Sequence, residues 1–333
     1  MTSHPEFGHD TKASEVADAF GDQIRERVGV SRGGIGKATA LAVAKHDPTL
    51  LILISRTQSN LDEVIDDIKA VKPHVHVESV LVDLGSQASV RRGAEEVKSL
   101  TQSIDVLINN AGLTVYRREW SPDGLDIHLA CNHLGPFLLT NLLLDRILTA
   151  AKASPPGATR VINITSDGHR PCPFRFHDYN CEGKEVPSDE QDELYKWPAD
   201  MVKPIDGYSG WLAYGQSKTA NVLFTVELNR RLEGTGVVSY AVHPGTVPSG
   251  QARKMEPSIA AAAAPLIALA NPKPSIEEGA STSLVAAFDP ALNERKILYL
   301  SDCQPANAES HATDVEKAKK LWALSEELVE ENF

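Results

Sequence analysis

The feature that most constrains the fold is a regular alternation of short apolar runs with longer amphipathic stretches. Six runs have the length of a strand: LLILIS (50–55), VESVLVD (77–83), DVLINN (105–110), RVINITS (160–166), GVVSYAVHPG (236–245) and KILYLS (296–301). Helical patterns such as NLDEVIDDIKAV and SKTANVLFTVELNRRL lie between them. This alternation predicts an α/β fold built on a doubly wound parallel sheet, because strands covered on both faces are apolar.

The length of the chain sets the predicted domain organisation. Its 333 residues, 42% of them hydrophobic, suffice for one large α/β domain. We predict that this domain spans residues 23–310, after a polar leader at 1–22 and before a C-terminal helix at 311–333. Residues 170–211 are rich in Pro, Asp, Glu and aromatic side chains and too long for a plain connection. We interpret them as a lid-like insertion over a site.

Charge and cysteine usage narrow the classes of partner and compartment. The net charge of −12 argues against a nucleic-acid surface. The longest nonpolar run, residues 259–270, is interrupted by Pro265 and falls short of the roughly 20 residues of a membrane span. The N-terminal stretch MTSHPEFGHDTK has no apolar run, so we expect no signal peptide. The four cysteines form no C-x-x-C pair, and Cys172, His177 and Cys181 lack a fourth ligand for zinc, so we expect reduced thiols, no metal site and a cytoplasmic protein. The expected partner is a small-molecule substrate, and a homo-oligomer is compatible with the sequence.

A glycine-rich turn is the first candidate for chemistry. The stretch Gly29-Val30-Ser31-Arg32-Gly33-Gly34-Ile35-Gly36 stands just ahead of an Ala-rich helical pattern. Glycines let backbone N–H groups approach a phosphate, and the start of a helix offers a positive dipole end. The turn predicts a site for a dinucleotide pyrophosphate, and a purely structural turn is the alternative.

Arg56 follows the run LLILIS directly, where NAD-preferring sites commonly place an acidic residue. With Arg32, it can neutralise the 2′-phosphate of NADP(H), so we predict NADP(H) as the cofactor. The alternative is a solvated surface arginine.

Tyr214 and Lys218 are spaced so that they share one face of a helix. A neighbouring cation stabilises a phenolate and lowers the pKa of tyrosine from about 10 towards a useful acid/base range. Ser166, at the end of RVINITS, is a third candidate. The spacing alone also arises by accident, and Ser166 alone can serve only to satisfy a strand end.

The order of these motifs resembles that of the classical short-chain dehydrogenases/reductases. The resemblance extends from about Gly29 to Ser301 and includes Asp83-Leu84, Asn109-Asn110-Ala111-Gly112, Asn132 and His243-Pro244-Gly245. DGH after Ser166, the long insertion, AYGQSKTANVLF and YLSDCQ are similar to the retinol-dehydrogenase-like branch, especially its fungal members. The resemblance implies a Rossmann-like fold.

The same resemblance implies roles for individual residues. Tyr214 is expected to donate a proton to a substrate carbonyl oxygen that Ser166 holds, while Lys218 lowers the Tyr214 pKa and binds the nicotinamide ribose. Asn132 is expected to hold a water that relays protons to Lys218, with capping of a turn as the alternative. Expected cofactor contacts are Gly29, Ser31, Arg32, Gly34, Ile35, Gly36, Arg56, Asp83, Leu84, Asn110, Ala111, Tyr214, Lys218, Val247 and Ser249. Among these, Asp83 is placed near the adenine and Asn110 mainly bridges strands.

The implied function is an NADP(H)-dependent oxidoreductase that interconverts a ketone or aldehyde and an alcohol on a lipophilic small molecule. One feature favours an alternative, a protein that keeps the fold with impaired catalysis. The polar residues 25–27 stand where an apolar strand should precede the glycine turn, and burying their charges unpaired would cost several kcal/mol each. We therefore predict that the first strand is missing or reduced to two or three residues, with weak NADP(H) binding and low stability.

Overall fold

The strands in the described part of the protein form one eight-stranded sheet. In a computed structural model, residues 1–25, 27–31, 35–191, 197–247, 255–294 and 297–333 are described. The strands are β1 Val28–Ser31, β2 Leu50–Ser55, β3 Val77–Leu81, β4 Val106–Asn109, β5 Thr159–Ile164, β6 Val237–His243, β7 Tyr299–Ser301 and β8 Gln304–Ala306. Their order across the sheet is β3-β2-β1-β4-β5-β6-β7-β8. Only β7 and β8 pair antiparallel, so the predicted doubly wound parallel sheet is confirmed.

Helices cover both faces of this sheet. They are α1 Ala13–Ala19, α2 Gly21–Ile24, α3 Ile35–Ala44, α4 Gln58–Val71, α5 Gln87–Leu100, α6 Ile127–Leu129, α7 Gly135–Leu142, α8 Leu144–Ala153, α9 Ala199–Val202, α10 Gly210–Arg231, α11 Pro257–Leu269, α12 Ile276–Phe288, α13 Ser310–Thr313 and α14 Val315–Val329. One apolar core contains side chains of α5, α7, α10 and α14. The other contains side chains of α1, α3, α4 and α12. Each of the six apolar runs overlaps a strand. β2, β4, β5 and β6 are buried throughout, as strands covered on two faces are, whereas the edge strand β3 is mostly half-buried.

The strand ahead of the glycine turn is present, and the prediction that it is missing or reduced to two or three residues was wrong. β1 has four residues, as many as β4, and lies between β2 and β4. All four of its residues pair with β2, and Gly29 and Val30 also pair with β4. A four-residue strand is therefore enough to fill this central position.

Of the three charged residues that precede β1, Arg27 is paired, Arg25 is exposed and Glu26 lies outside the described residues. The Arg27 guanidinium donates to Asp105, just before β4, at 3.0 Å, and to the Ser154 hydroxyl at 3.3 Å. The side chains of Arg27 and Asp105 are 21% and 13% exposed. Because Arg27 is ion-paired with Asp105 where β1 and β4 begin, the expected cost of burying it without a partner does not arise.

The predicted polar leader is part of the apolar core. Ala13, Val16 and Ala17 of α1 are fully buried, as is Ile24 of α2, and Phe20 between these helices is 2% exposed. α1 packs against α12 and α3. These five residues recur at helical spacing, which is the signal in the sequence that marks a buried face.

The fold brings the carboxyl ends of the parallel strands to one edge of the sheet. The chain winds outward in opposite directions from β1 and β4, so the crevice between them is the position where open α/β sheets bind ligands. Among the described residues no single helix is long and apolar enough to cross a membrane, although the bent pair Ile127–Leu142 and Leu144–Ala153 has the necessary length and composition.

Candidate active site

Tyr214 and Lys218 lie one turn apart on α10 and face the end of β5. Lys218 is 3% exposed, and its Nζ donates a hydrogen bond to the Ile164 carbonyl oxygen at 3.0 Å. The same Nζ lies 5.7 Å from the centre of the Tyr214 ring. The structure thus brings the phenol and the ammonium to one buried position, as the spacing predicts.

Ser166 lies two residues beyond β5 and contacts Tyr214. Its Oγ accepts the Gly168 N–H at 3.2 Å, and its hydroxyl is hydrogen-bonded to the Tyr214 side chain. A Cβ atom at Gly168 would approach Tyr214 Cε1 to 3.2 Å, so glycine is the residue that lets the tyrosine ring come this close. Two hydroxyl groups are therefore paired at the sheet edge.

Burial determines the protonation states of Tyr214 and Lys218. It raises the pKa of Tyr214, and the hydrogen bond from Ser166 only partly offsets the effect. It also lowers the pKa of Lys218 to about 8. The expected lowering of the Tyr214 pKa by Lys218 is not seen in this structure. Tyr214 is consequently a protonated acid at neutral pH beside a lysine that is still largely charged.

Asn132 lies in a π-helical turn, Ala130–Leu134, and holds the loop that follows β4. Its Oδ1 accepts the Leu113 N–H at 2.8 Å, and its Nδ2 donates to the Leu113 carbonyl at 3.1 Å and to the Ser217 hydroxyl at 3.0 Å. A Cβ atom at Gly112 would meet both Lys218 Nζ, at 3.1 Å, and Asn132 Oδ1, at 3.6 Å. Asn132 therefore stands beside Lys218 and fixes the backbone next to it.

A cavity of about 380 Å³ opens above these residues. Its polar part contains Ser166 and Tyr214, together with Thr114 and His243. The rest of its wall is largely apolar and aromatic: Tyr116, Trp197, Met201, Trp211, Met255, Leu266 and Ile267. The cavity has the size of a small-molecule site and is lined as such sites are, with few polar groups.

The insertion at 170–211 contributes one part of itself to this cavity. Trp197, Met201 and Trp211, from its C-terminal part, line the wall, and the rings of Trp197 and Trp211 stack at 5.7 Å. Phe174 and Cys181, from its earlier part, are buried in the protein. Sequence reasoning named the insertion but not this aromatic wall, although the tryptophans were visible in it.

The remaining predicted cofactor contacts are distributed along the same edge. Gly36 is buried in the first turn of α3, Asn110 and Ala111 follow β4, Leu84 is buried, and Gly29 and Ser31 belong to β1. Ile35 and Val247 line the cavity. Asp83 accepts the Gly85 N–H at 2.9 Å, and Arg56 is exposed after β2. Arg32, Gly34 and Ser249 lie outside the described residues.

A hydrogen bond between β4 and β5 is made by Asn109, the neighbour of the predicted Asn110. Its Nδ2 donates to Asn163 Oδ1 at 2.9 Å and to the Thr140 hydroxyl at 3.0 Å. Asn163 in turn donates to Thr225 and Ser239. This buried amide pair fixes the two strands whose ends carry the loop at Gly112 and Ser166.

Asp167 and His243 are in polar contact at the cavity, and sequence reasoning missed this contact. His243 Nε2 lies 3.3 Å from Asp167 Oδ2, and Arg170 donates to the other carboxylate oxygen at 2.9 Å. Burial alone would raise the pKa of Asp167, but the hydrogen bonds and electrostatic interactions with His243 and Arg170 outweigh it and hold the pKa well below its usual range. The carboxylate is therefore charged at neutral pH.

Comparison with known proteins agrees with this geometry. The sequence profile of the short chain dehydrogenases matches residues 28–180, beginning at the first residue of β1. Mouse retinol dehydrogenase 12 is 34% identical over 311 residues, which cover 92% of this chain and 87% of that protein. The chain belongs to the short-chain dehydrogenase/reductase family. Within this family of oxidoreductases it is a retinol-dehydrogenase-like member, as the sequence resemblance predicted.

Further relatives extend the comparison. Oxidoreductase fscI of Fusarium equiseti is 34% identical, with 72% of this chain and 94% of that protein aligned. An uncharacterized Mycobacterium paratuberculosis protein of known structure shares the fold with a TM-score of 0.65 and 28% identity, over 93% of this chain and 96% of the other. NADPH-bound carbonyl reductase from chicken fatty liver has a TM-score of 0.54 and 19% identity, over 86% and 100%. The last likeness concerns the fold alone.

Proposed function

We propose that this short-chain dehydrogenase/reductase uses NADP(H) to interconvert a ketone or aldehyde and an alcohol on a lipophilic small molecule. The observation that supports it most is the hydrogen-bonded pair of Ser166 and Tyr214 at the polar part of an otherwise apolar cavity. Among the described residues that line the cavity, Asp167 is the one carboxylate, and it is paired with Arg170 and contacts His243. An uncharged substrate fits this lining best, because charged groups lose their hydration there.

The proposed chemistry assigns one task to each buried group. Tyr214, which burial keeps protonated, donates its proton to the substrate carbonyl oxygen, and Ser166 holds that oxygen by a hydrogen bond. Lys218 places a positive charge near the phenolate that forms. Asn132 keeps the loop in place beside Lys218 and orders a water that relays protons to it. The bound dinucleotide supplies the hydride for reduction.

The position of the cavity suits a dinucleotide. Ile35 at the start of α3 and Val247 after β6 line the same cavity as Tyr214. This is the switch point of the sheet, where the positive start of a helix favours a pyrophosphate. Lys218 is proposed to bind the nicotinamide ribose, Asp83 to lie near the adenine, and Arg56 to meet the 2′-phosphate. Arg32, Gly34 and Ser249 remain proposed contacts from the sequence.

The competing hypothesis of a catalytically impaired protein loses its main support. It rested on the absence of the first strand, and β1 is in place between β2 and β4.

We further propose that the enzyme acts in the cytoplasm. All four cysteines are buried and none of them forms a disulfide, which suits a reducing compartment.

The direct test is NADPH oxidation with a panel of uncharged lipophilic ketones and aldehydes. Tyr214→Phe should lower turnover by about 10² to 10⁴, the usual worth of a general acid, and leave the Kd of NADPH nearly unchanged. Tyr240→Phe is the matched control, since Tyr240 is a buried tyrosine whose hydroxyl donates to the Leu292 carbonyl. Near-parental activity of Tyr214→Phe would make the assigned mechanism wrong.

A further inference from the structure

Three fully buried side chains outside the proposed acid/base group form a hydrogen-bonded chain. They are Asp126, just before α6, His128 within α6, and Tyr208 from the insertion at 170–211. The Tyr208 hydroxyl donates to Asp126 Oδ2 at 2.6 Å and lies 2.8 Å from His128 Nδ1. The other imidazole nitrogen, Nε2, accepts the Val115 N–H at 3.0 Å.

The hydrogen-bond partners of Asp126, His128 and Tyr208 determine where the protons of this network are. Because a backbone N–H can only donate, His128 Nε2 must be unprotonated, and the single imidazole proton is on Nδ1. That proton is donated to the Tyr208 oxygen, and the Tyr208 proton is donated to the Asp126 carboxylate. Asp126 Oδ1 also accepts the N–H groups of His128 and Leu129, at 3.0 and 3.2 Å. All polar atoms of the imidazole are satisfied in one orientation only.

The hydrogen-bonded network of Asp126, His128 and Tyr208 connects the insertion to the cavity loop at Val115 and to the ring of Tyr214. Val115 stands between Thr114 and Tyr116, and both of these residues line the cavity. The His128 ring also packs against the Tyr214 ring, with centroids 6.3 Å apart and planes at 70°. The imidazole therefore contacts the cavity loop through a hydrogen bond and the proposed acid through its ring.

Arg118 makes a cation–π contact with the ring of Tyr208. The Arg118 guanidinium lies 4.6 Å from the centre of the Tyr208 ring and donates to the carbonyls of Asn180, at 2.9 Å, and Cys181. Asn180 Oδ1 accepts the Asp126 N–H at 2.9 Å. Tyr208 thus contacts residues of the loop after β4 and of the start of α6, as well as Arg118, so its hydroxyl has little freedom to move.

We propose that Tyr208 and His128 are positioning residues, which hold the loop at Val115 and the ring of Tyr214 in the geometry that proton transfer requires. The inference rests on the proposed function, because it takes Tyr214 as the acid. It gives the insertion a task beyond covering the cavity. By supplying Tyr208, the insertion helps to hold the Tyr214 ring and the loop at Val115 in place.

The first experiment measures carbonyl reduction and NADPH affinity of Tyr208→Phe, with Tyr240→Phe as control. Both variants remove one hydroxyl group from a fully buried tyrosine. Tyr208→Phe should lower kcat by about tenfold or more, since it leaves the His128 N–H and the Asp126 carboxylate without their shared partner, and should leave the Kd of NADPH unchanged. Tyr240→Phe should stay within about twofold of the parent in kcat. Equal kcat losses in the two variants would overturn the proposal.

A second pair of variants separates positioning from general packing. His128→Gln places an amide oxygen that can accept the Val115 N–H, whereas His128→Leu cannot accept it. The glutamine variant should recover a measurable part of kcat relative to the leucine variant. Equal loss in both would contradict the proposed role of the Val115 hydrogen bond.

Hydrogen exchange tests the same geometry without turnover. The peptide containing Val115 should exchange faster in Tyr208→Phe and His128→Leu than in the parent and in Tyr240→Phe. Unchanged exchange would overturn the inference whatever the activity shows. Faster exchange in a protein that reduces no carbonyl of the panel would instead refute the proposed function and its catalytic reading of Tyr214, while the support of the loop would stand.

Discussion

At the scale of single residues, the site holds a buried cation at an energetic cost. Burial lowers the pKa of Lys218 from its ordinary 10.5 to about 8, so the charged form opposes folding at neutral pH. One pKa unit corresponds to about 1.4 kcal/mol, which makes the penalty about 3 kcal/mol at most. Lys218→Met should therefore raise the Tm at neutral pH while it abolishes turnover. Lys152→Met, at an exposed position of α8, should change neither by a comparable amount.

The pH dependence of this effect has a defined sign. Between about pH 8 and 10.5 the unfolded chain keeps the Lys218 proton that the folded chain has lost, so the stability contributed at this position rises with pH. The Tm advantage of Lys218→Met should shrink across this window. Thermal unfolding of parent and variant at several pH values measures it. A variant that is less stable than the parent at neutral pH would show that the burial penalty is not the dominant effect.

Arg56 is the residue on which the proposed preference for NADP(H) depends. It is exposed directly after β2, where a 2′-phosphate is expected. Arg56→Asp should shift the ratio of NADPH to NADH affinities by more than about tenfold, because a charged contact contributes roughly 1.5 to 3 kcal/mol. Arg92→Asp makes the same charge change at an exposed position of α5 and should leave the ratio unaltered. Equal ratios in both variants would place Arg56 outside the cofactor site.

Residue spacing predicted which side chains meet but not their environment. The four-residue interval between Tyr214 and Lys218 fixes a shared helix face, and the strand end fixes Ser166. The direction of the Tyr214 pKa shift depends on how deeply the ring is buried, and spacing contains no information on that. His128 and Tyr208 are 80 residues apart, so no local pattern could pair them.

At the scale of elements, strands recognised as apolar runs were predicted well and β1 was not. The apolar-run criterion expects the whole strand to be apolar, but β1 needs only four residues between β2 and β4. The charge before it is paired with Asp105, which is distant in sequence. A pairing of this kind could not be read from the stretch around Arg27 alone. The same limit applies to Phe174, in the early part of the insertion, which is buried in one core with side chains of α14.

At the scale of the whole molecule, the N-terminal segment closes the core on the side of α3 and α12. Phe20 is 2% exposed and Ile24 is fully buried. The Ser3 N–H donates to the Asp289 carboxylate, 286 residues further along the chain, at 2.8 Å. The segment therefore acts as part of the domain and not as an appended tail, although its polar composition suggested a leader.

The contribution of Phe20 to this packing can be measured by substitution. Phe20→Ala should lower the free energy of unfolding by about 3 to 5 kcal/mol, since it removes a buried ring and leaves a cavity. Asp22→Ala changes an exposed residue of the neighbouring helix and should cost less than about 0.5 kcal/mol. Urea unfolding of the two variants and the parent measures both values. If Phe20→Ala were no more destabilising than Asp22→Ala, the segment would contribute nothing to the core, and its helices would have to be regarded as a separable leader.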